Sequence, residues 1–339
     1  MESSSRRRLA CGGRTSTTVR SVADPGLVDI ILPTRNRGPV VLEAVRSVQA
    51  QTHRDWRLWI VDDASSDGSD SSLVREAEAD QRITVLRRTH RGGPAAARQT
   101  GLEAGTAPWV ALIDSDDRWR PRRLQAGLDA TDDPRTDAVF GAHQWQQGSQ
   151  LGAPLIPTRQ WKRFPFVTNN FSTILVKRPI LEAAGGFVPK GQEPLWTCEH
   201  LDLCLRLIGR WRVTVVPEPL AICVAHNNDR ASDRFGSLQA ATELDRTRRA
   251  NADRLGAYPE VLARLTARSA ARYAQVRQYR RALALAMTAL AVRPTGSRVQ
   301  FLRTEAPRIV RVVGDGVVQG ARSPRARPSL RSSRNATPG

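Results

Sequence analysis

Cysteine is scarce in this chain and poorly placed for metal or disulfide chemistry. Cys11, Cys198, Cys204 and Cys223 form no C-x-x-C pair and have no histidine at zinc spacing, so they read as the reduced thiols of an intracellular protein. Long apolar runs are missing too. Val213 to Ala225 is interrupted by Pro217, Glu218 and Pro219, well short of the roughly 18 to 20 residues that span a bilayer. The N-terminal arginines lead into no apolar core, so no secretory signal is expected. No G-x-G-x-x-G follows the first strand-like run, which argues against a dinucleotide-binding fold. Lysine is nearly absent, with only Lys162, Lys177 and Lys190.

That last shortage qualifies the net charge of +19, which would ordinarily point to nucleic acid or an anionic membrane surface. Almost all of the positive charge is arginine in a chain also rich in Ala and Pro, which looks like a bias of composition. Much of it also sits at the ends. Residues 1–24 hold five Arg against Glu2 and Asp24, and residues 306–339 hold seven Arg against Asp315. Both ends are poor in large apolar residues and are expected to be solvated and disordered. Nucleic acid is not expected as a partner. Peripheral contact of the basic tails with an anionic membrane is consistent with a cytoplasmic protein at the inner face of the plasma membrane.

The 339 residues are 40% hydrophobic, enough for one large α/β domain and a smaller unit. Strand-like runs at Val28–Leu32, Leu58–Val61, Ile83–Leu86 and Trp109–Ile113 alternate with helical spacing at 40–51, 72–80 and 95–103. That alternation predicts a parallel sheet covered on both faces. Further strands are expected at Ala138–Ala142, Ser172–Val176 and Arg212–Val216, and helices at Pro179–Ala184 and Glu199–Ile208. Beyond Asn228 the pattern is helical only, and Tyr273–Pro294 has the look of one tetratricopeptide-like helix pair. The expected organisation is a basic tail (1–25), an α/β domain (26–232), a helical appendage (233–300) and a second basic tail (301–339).

Two of the expected strands end in clustered carboxylates. Asp62, Asp63 and Asp67 follow Leu58–Val61, while Asp114, Asp116 and Asp117 follow Trp109–Ile113. Open α/β sheets bind ligands at the carboxyl ends of their strands. Hard dications such as Mg²⁺ or Mn²⁺ take carboxylate oxygens and keep positions open for phosphates, so these clusters point to a metal-diphosphate site. Asp63, Ser65, Asp67 and Gly68 imitate the start of an EF-hand, but the twelfth position is Val74 in place of the bidentate glutamate, which excludes that loop.

Five blocks in order carry a family resemblance: VDIILPTRNR (28–37), VDDASSDGS (61–69), RGGPAAARQTGLEAG (91–105), WVALIDSDD (109–117), and GGF (185–187) with EHLDLCLRL (199–207). Across roughly residues 28–226 the chain resembles the inverting family 2 glycosyltransferases, which have the GT-A fold. The resemblance implies that Pro33, Thr34 and Asn36 line the base and ribose, with Arg37 near the phosphates. One carboxylate of Asp62 and Asp63, by preference Asp63, would accept the N3 proton of a uracil or thymine. The turn at Gly92, Gly93 and Pro94 opens a helix whose free N–H groups would face phosphate, and Arg98 matches the family's arginine. Where the family has Asn, this chain has Arg91 and Gln99.

By the same resemblance Asp116 touches the ribose or the metal, Asp117 ligates the metal directly, Asp114 lies in the same block, and His226 lies near the metal or diphosphate. The family's base comes from a Glu-Asp pair, and here the pair reads Glu199-His200. Histidine can act as a base near neutral pH, Glu199 could substitute from next door, and Asp202 could orient the helix. The aromatic stretch Trp145–Phe171 and the loop 190–197 are expected to shape the acceptor cleft. The implied activity is transfer of a sugar, with inversion, from a nucleoside diphosphate sugar to a glycan or lipid-linked acceptor in cell-envelope synthesis, with a UDP-sugar as the favoured donor and Mn²⁺ or Mg²⁺ as cofactor. The alternative is a catalytically impaired nucleotide-sugar-binding protein that docks partners through the helical unit and tails.

Overall fold

The structure, a computed structural model, describes residues 26–68, 70–157, 170–207, 209–224, 237–276 and 278–291. Both expected tails, His226, and Trp161, Phe164 and Phe166 lie outside the described residues.

β1 (Val28–Thr34) is buried along nearly its whole length, as a central parallel strand must be. Its side chains divide by parity. Val28, Ile30 and Leu32 enter one apolar layer with Val41, Ala44, Val45 and Val48 of α1 (Val40–Gln49), while Ile31 enters a second layer with Leu102, Val110 and Leu112. β2 (Trp56–Asp62) and β4 (Trp109–Leu112) flank β1 in parallel, and β3 (Ile83–Arg87) extends the sheet beyond β2. The connections are α1, α2 (Asp70–Ala79) and α3 (Gly93–Ala104). Gly101 lets α3 lie close to the sheet, because a Cβ there would stand 2.6 Å from Ile31 Cγ2.

The sheet continues through β5 (Arg118–Trp119), β6 (Ala138–Gln147), β7 (Gln150–Leu151), β8 (Ile174–Lys177) and β9 (Val213–Val224). Its order is β3-β2-β1-β4-β8-β6-β9-β5, with β7 paired to β6. The parallel reading therefore holds for β1 to β4, whereas β8 runs antiparallel to both β4 and β6. The fold is a mixed α/β sheet flanked by helices. Two other expectations are corrected. The last strand does not stop at Val216 but runs on to Val224 through Pro217 and Pro219, because register shifts against Gly141, Ala142 and His143 make room for prolines that cannot donate to the ladder. Residues Phe171–Thr173 form a 3₁₀ turn before β8 begins. β5 and α4 (Arg123–Asp129) were not anticipated, being too short to show a period.

α5 (Arg178–Ala183) and α6 (Glu199–Leu207) complete the α/β part. Beyond residue 236 come α7 (Ser237–Ala250), α8 (Ala252–Leu255), α9 (Pro259–Gln275) and α10 (Tyr279–Ala291). α9 and α10 meet through Ala267, Ala270, Ala286 and Ala289. The unit is not detached from the sheet. Leu244, Leu255, Val261 and Leu265 share one buried cluster with Cys198, Leu201 and Leu205 of α6 and the residue before it. Among the described residues no helix is long and apolar enough to cross a membrane.

Candidate active site

The parallel strands β1, β2 and β4 place the three acidic or polar turns at one sheet edge. The β1 and β2 turns are stitched together there. Asn36, in the left-handed region at φ 49°, donates its N–H to Ser65 Oγ (2.9 Å), and its Oδ1 accepts from Ser66 N (2.8 Å). Gly38 N donates to Asp67 Oδ2 at 3.1 Å. Asp62 Oδ1 accepts from Ser65 N and Ser65 Oγ, while its Oδ2, 3.8 Å from Arg87 Nε, and Thr34 Oγ1 are buried with no hydrogen-bond partner among the described residues.

Asp63 is committed differently. Its Oδ1 accepts from Gly92 N (2.8 Å) and Arg88 Nε (3.0 Å), and its Oδ2 from Gly93 N (2.8 Å). The N–H groups of Gly92 and Gly93, expected to face phosphate, are thus taken by a carboxylate. The reason is local: the end of β2 aims Asp63 at the positive end of α3. Gly93 sits at φ 83° against the ring of Trp196, where a Cβ would approach to 2.9 Å, and the Arg91 guanidinium lies 4.6 Å from that ring's centroid.

Arg98, one turn into α3, joins two distant parts of the chain. Its Nη2 donates to Asp114 Oδ1 (2.6 Å) and its Nη1 to Glu199 Oε1 (3.0 Å). Burial opposes the charge of Arg98, but the two carboxylates outweigh it and hold the guanidinium protonated more firmly than usual. Its cation also lies 4.5 Å from the Phe171 ring centroid, and the His200 ring meets the same phenyl edge-on at 5.9 Å. Glu199 Oε2 is buried with no hydrogen-bond partner among the described residues. Burial holds the His200 pKa below its ordinary value, reinforced by Arg98 and opposed by Glu199 and Asp114.

The acidic turn after β4 is crowded. Arg37 Nη2 pairs with Asp116 Oδ2 at 3.1 Å. Asp117 is buried: its Oδ2 accepts from Ser172 Oγ (2.6 Å) and Asn170 Nδ2 (3.0 Å), and its Oδ1 from Val224 N (3.2 Å). Burial, with repulsion from Asp114 and Asp116, pushes its pKa up to about 8. The donors suit a hard dication in kind, and a cation would relieve that repulsion. In number they fall short, because among the described residues no three such side chains converge as ligands, and His226 is not among them.

Of the sequence-derived residues, Arg98, Asp114, Glu199 and His200 come together, as do Arg37 and Asp116. Asp202 does not join them. It bonds Arg206 Nε (2.8 Å) and Asn251 Nδ2 (3.2 Å), and Arg206 in turn holds the carbonyls of Ala184 and Gly186. Pro33 lies in β1 beside Val61. Gln99, the departure from the family's Asn, accepts from Phe187 N at 2.8 Å and so fixes the Gly185-Gly186-Phe187 turn. Sequence reading missed Arg88, Asn170 and Ser172, none of which stands in a recognisable spacing with its carboxylate partner.

The family model for "Glycosyl transferase family 2" matches residues 29–180. The Bacillus subtilis protein TuaG, named as a candidate teichuronic acid biosynthesis glycosyltransferase, is 37% identical over 103 residues. That match takes in 30% of this chain and 41% of TuaG, so the chain spans less than half of that relative's length. Two solved structures share the fold: S. aureus TarS 1–349 in complex with UDP-GlcNAc, and the mannosyltransferase PcManGT from Pyrobaculum calidifontis in complex with GDP-Man and Mn²⁺. TarS superposes with a TM-score of 0.54 at 17% identity, covering 86% of this chain and 80% of TarS. PcManGT does so with a TM-score of 0.53 at 21% identity, covering 87% of each. The acidic strand ends and the arginine that links one of them to α6 sit on a GT-A sheet, and the segment 29–180 of that sheet is what the chain shares with glycosyl transferase family 2.

Proposed function

We propose that the chain transfers a sugar, with inversion, from a nucleoside diphosphate sugar to an acceptor hydroxyl. The observation that carries this reading is Arg98 bonded to both Asp114 and Glu199, which puts the acidic turn and the head of α6 in one site. Asp63, Asn36 and Thr34 form the wall for the base and ribose, and Arg37 stands beside the diphosphate. Asp116 and Asp117 would hold a divalent cation, with His226 as a further ligand, and the cation would offset the charge that builds on the leaving diphosphate.

The acceptor proton goes to Glu199 or His200. Glu199 is held by one oxygen and its other has no hydrogen-bond partner among the described residues, while His200, its pKa lowered by burial, is neutral at pH 7 and so able to take a proton. The base removes the hydroxyl proton as that oxygen attacks the anomeric carbon on the face opposite the diphosphate. The name of TuaG supports a cell-envelope glycan or its lipid-linked precursor as acceptor, and the UDP-GlcNAc and GDP-Man complexes support a nucleotide-sugar donor.

A thermal-shift screen of UDP, GDP and dTDP with and without Mn²⁺ tests the reading. Stabilisation of about 2.7 kcal/mol is expected at 100 times the dissociation constant. No shift with any nucleoside diphosphate would overturn it. Tight nucleotide binding without turnover of any donor would instead favour the impaired binding protein.

A further inference from the structure

The head of α6 is tied down from outside the segment that the family model matches. Glu243 of α7 is 7% exposed, and its carboxylate is surrounded by donors. Trp196 N donates to Oε2 at 3.2 Å and to Oε1 at 3.3 Å, Thr197 N to Oε2 at 2.9 Å, and Thr197 Oγ1 to Oε2 at 2.7 Å. Gln239 Nε2 adds a bond to Oε1 at 3.3 Å. Three of these four donors belong to two consecutive residues. The next residue, Cys198, gives its carbonyl to Asp202 N (2.9 Å) and so starts the helix whose first residues are Glu199 and His200.

A carboxylate removed from water is costly unless hydrogen bonds offset the loss of hydration. Here the offset comes almost wholly from residues 196 and 197, so the acid at 243 serves that segment more than its own helix. Its charge also lies just before the positive end of α6, the favourable place for an anion. Other contacts point the same way. Arg246, also on α7, donates to Glu193 O at 3.1 Å, Asn251 bonds Asp202, and Leu244 packs in one cluster with Cys198 and Leu201.

We propose that Glu243 is a positioning residue for the active site: it fixes Trp196 and Thr197, and through them sets where Glu199 and His200 stand relative to Arg98 and Asp114. This rests on the proposed role of Glu199 and His200 as the proton-accepting pair. The helical unit is then a working part of the transferase. The same tether holds the Trp196 ring against Gly93, fixing the wall of the glycine turn.

The test is a ¹³C-histidine NMR titration of the full chain, with the His200 signal assigned by its loss in His200→Gln. The charged groups that act on His200 are Glu199, Arg98, Asp114 and Arg268. Loosening the start of α6 admits water, so in Glu243→Ala the His200 midpoint is expected to rise toward its ordinary value while that of His143, buried in β6, is unchanged. Glu243→Gln keeps an amide oxygen for part of the donor set and is expected to fall between. Thr197→Val, which removes one donor, gives the same direction should Glu243→Ala fail to fold. An unchanged His200 midpoint in the folded variants, or all histidines moving together, overturns the proposal. Turnover of UDP-glucose or GDP-mannose supplies the second readout: kcat at least tenfold lower with donor KM within twofold supports it, and unchanged kcat counts against it. The titration needs no substrate, so failure of the transferase reading and failure of this inference remain distinguishable.

Discussion

Arg98 and Glu199 are separated by 101 residues in the chain and meet at 3.0 Å in the interior, with the other end of the same guanidinium on Asp114 at 2.6 Å. One cation therefore holds the carboxylate of the acidic turn and the carboxylate of α6 in a fixed relation. The planar fork aims two Nη donors at the two carboxylates from one rigid group, a geometry that a compact ammonium does not reproduce, which is why arginine and lysine are not interchangeable here.

Arg98→Met should leave both carboxylates without their cation. Removing one partner of a buried pair costs about 3 to 5 kcal/mol, and the lower end applies because the Asp114 side chain is 31% exposed. Urea denaturation is expected to show a loss of about 3 kcal/mol. Arg98→Lys should recover part of the stability and little of the activity. Equal activity in Arg98→Lys and the wild type would show that the bridge has no part in turnover.

Glu199→Gln keeps the shape and an oxygen for Arg98 but removes the capacity to take a proton. If Glu199 is the base, kcat for donor turnover falls by about 10² to 10⁴ with donor KM unchanged. His200→Gln then leaves kcat within a few-fold. The reverse pattern assigns the base to His200, and turnover untouched by both substitutions would place it elsewhere.

Much of this site was legible because its first layer is local. The strand ends at Asp62 and Asp114 follow apolar runs, and the helix opening at Gly92-Gly93-Pro94 is written in consecutive residues. What was not legible depends on the packing of remote segments. That Asp63 would consume the Gly92 and Gly93 amides depends on how β2 and α3 approach one another. That Asp202 would turn toward Asn251 and away from Arg98 depends on α7 and α8, whose helical spacing was visible but whose docking face was not. Pro217 and Pro219 signalled a strand end and instead occupy an irregular stretch of β9, because the register shifts arise from its partner β6.

Two buried histidines should each contribute a part of the stability that is lost in acid. Burial lowers the pKa of both His143 and His200 from 6.5. Below about pH 6.5 the unfolded chain takes up protons that the folded chain refuses, so stability present above that pH is progressively lost as pH falls through the window between the unfolded and folded values. Asp117, its pKa pushed up to about 8, acts in the opposite sense over the same window, so the check is a difference: from pH 7.5 to 5 the melting temperatures of His143→Gln and of His200→Gln are each expected to shift upward relative to that of the wild type. Parallel curves for wild type and both variants would remove these histidines as the cause.

Ser172 is the least conspicuous member of the site and the most exposed to a clean test. Its hydroxyl accepts from Asp114 N at 3.0 Å and donates to Asp117 Oδ2 at 2.6 Å, while its carbonyl accepts from Trp119 Nε1 at 2.8 Å. Ser172→Ala leaves the carbonyl bond in place and leaves two groups short of a hydrogen bond: the Asp114 amide, and Asp117 Oδ2, which keeps the bond from Asn170 Nδ2. Each such group costs about 1 to 3 kcal/mol, so a loss of about 2 kcal/mol in urea denaturation is expected. The fold should survive, since β8 and the 3₁₀ turn keep their apolar partners. The added stabilisation that Mn²⁺ gives in the presence of UDP should shrink, because the Asp117 carboxylate is no longer held in orientation by that hydroxyl. Full Mn²⁺-dependent stabilisation in the folded variant would mean that Asp117 needs no support from Ser172, and that the acidic turn is set by Asn170 and the β9 backbone alone.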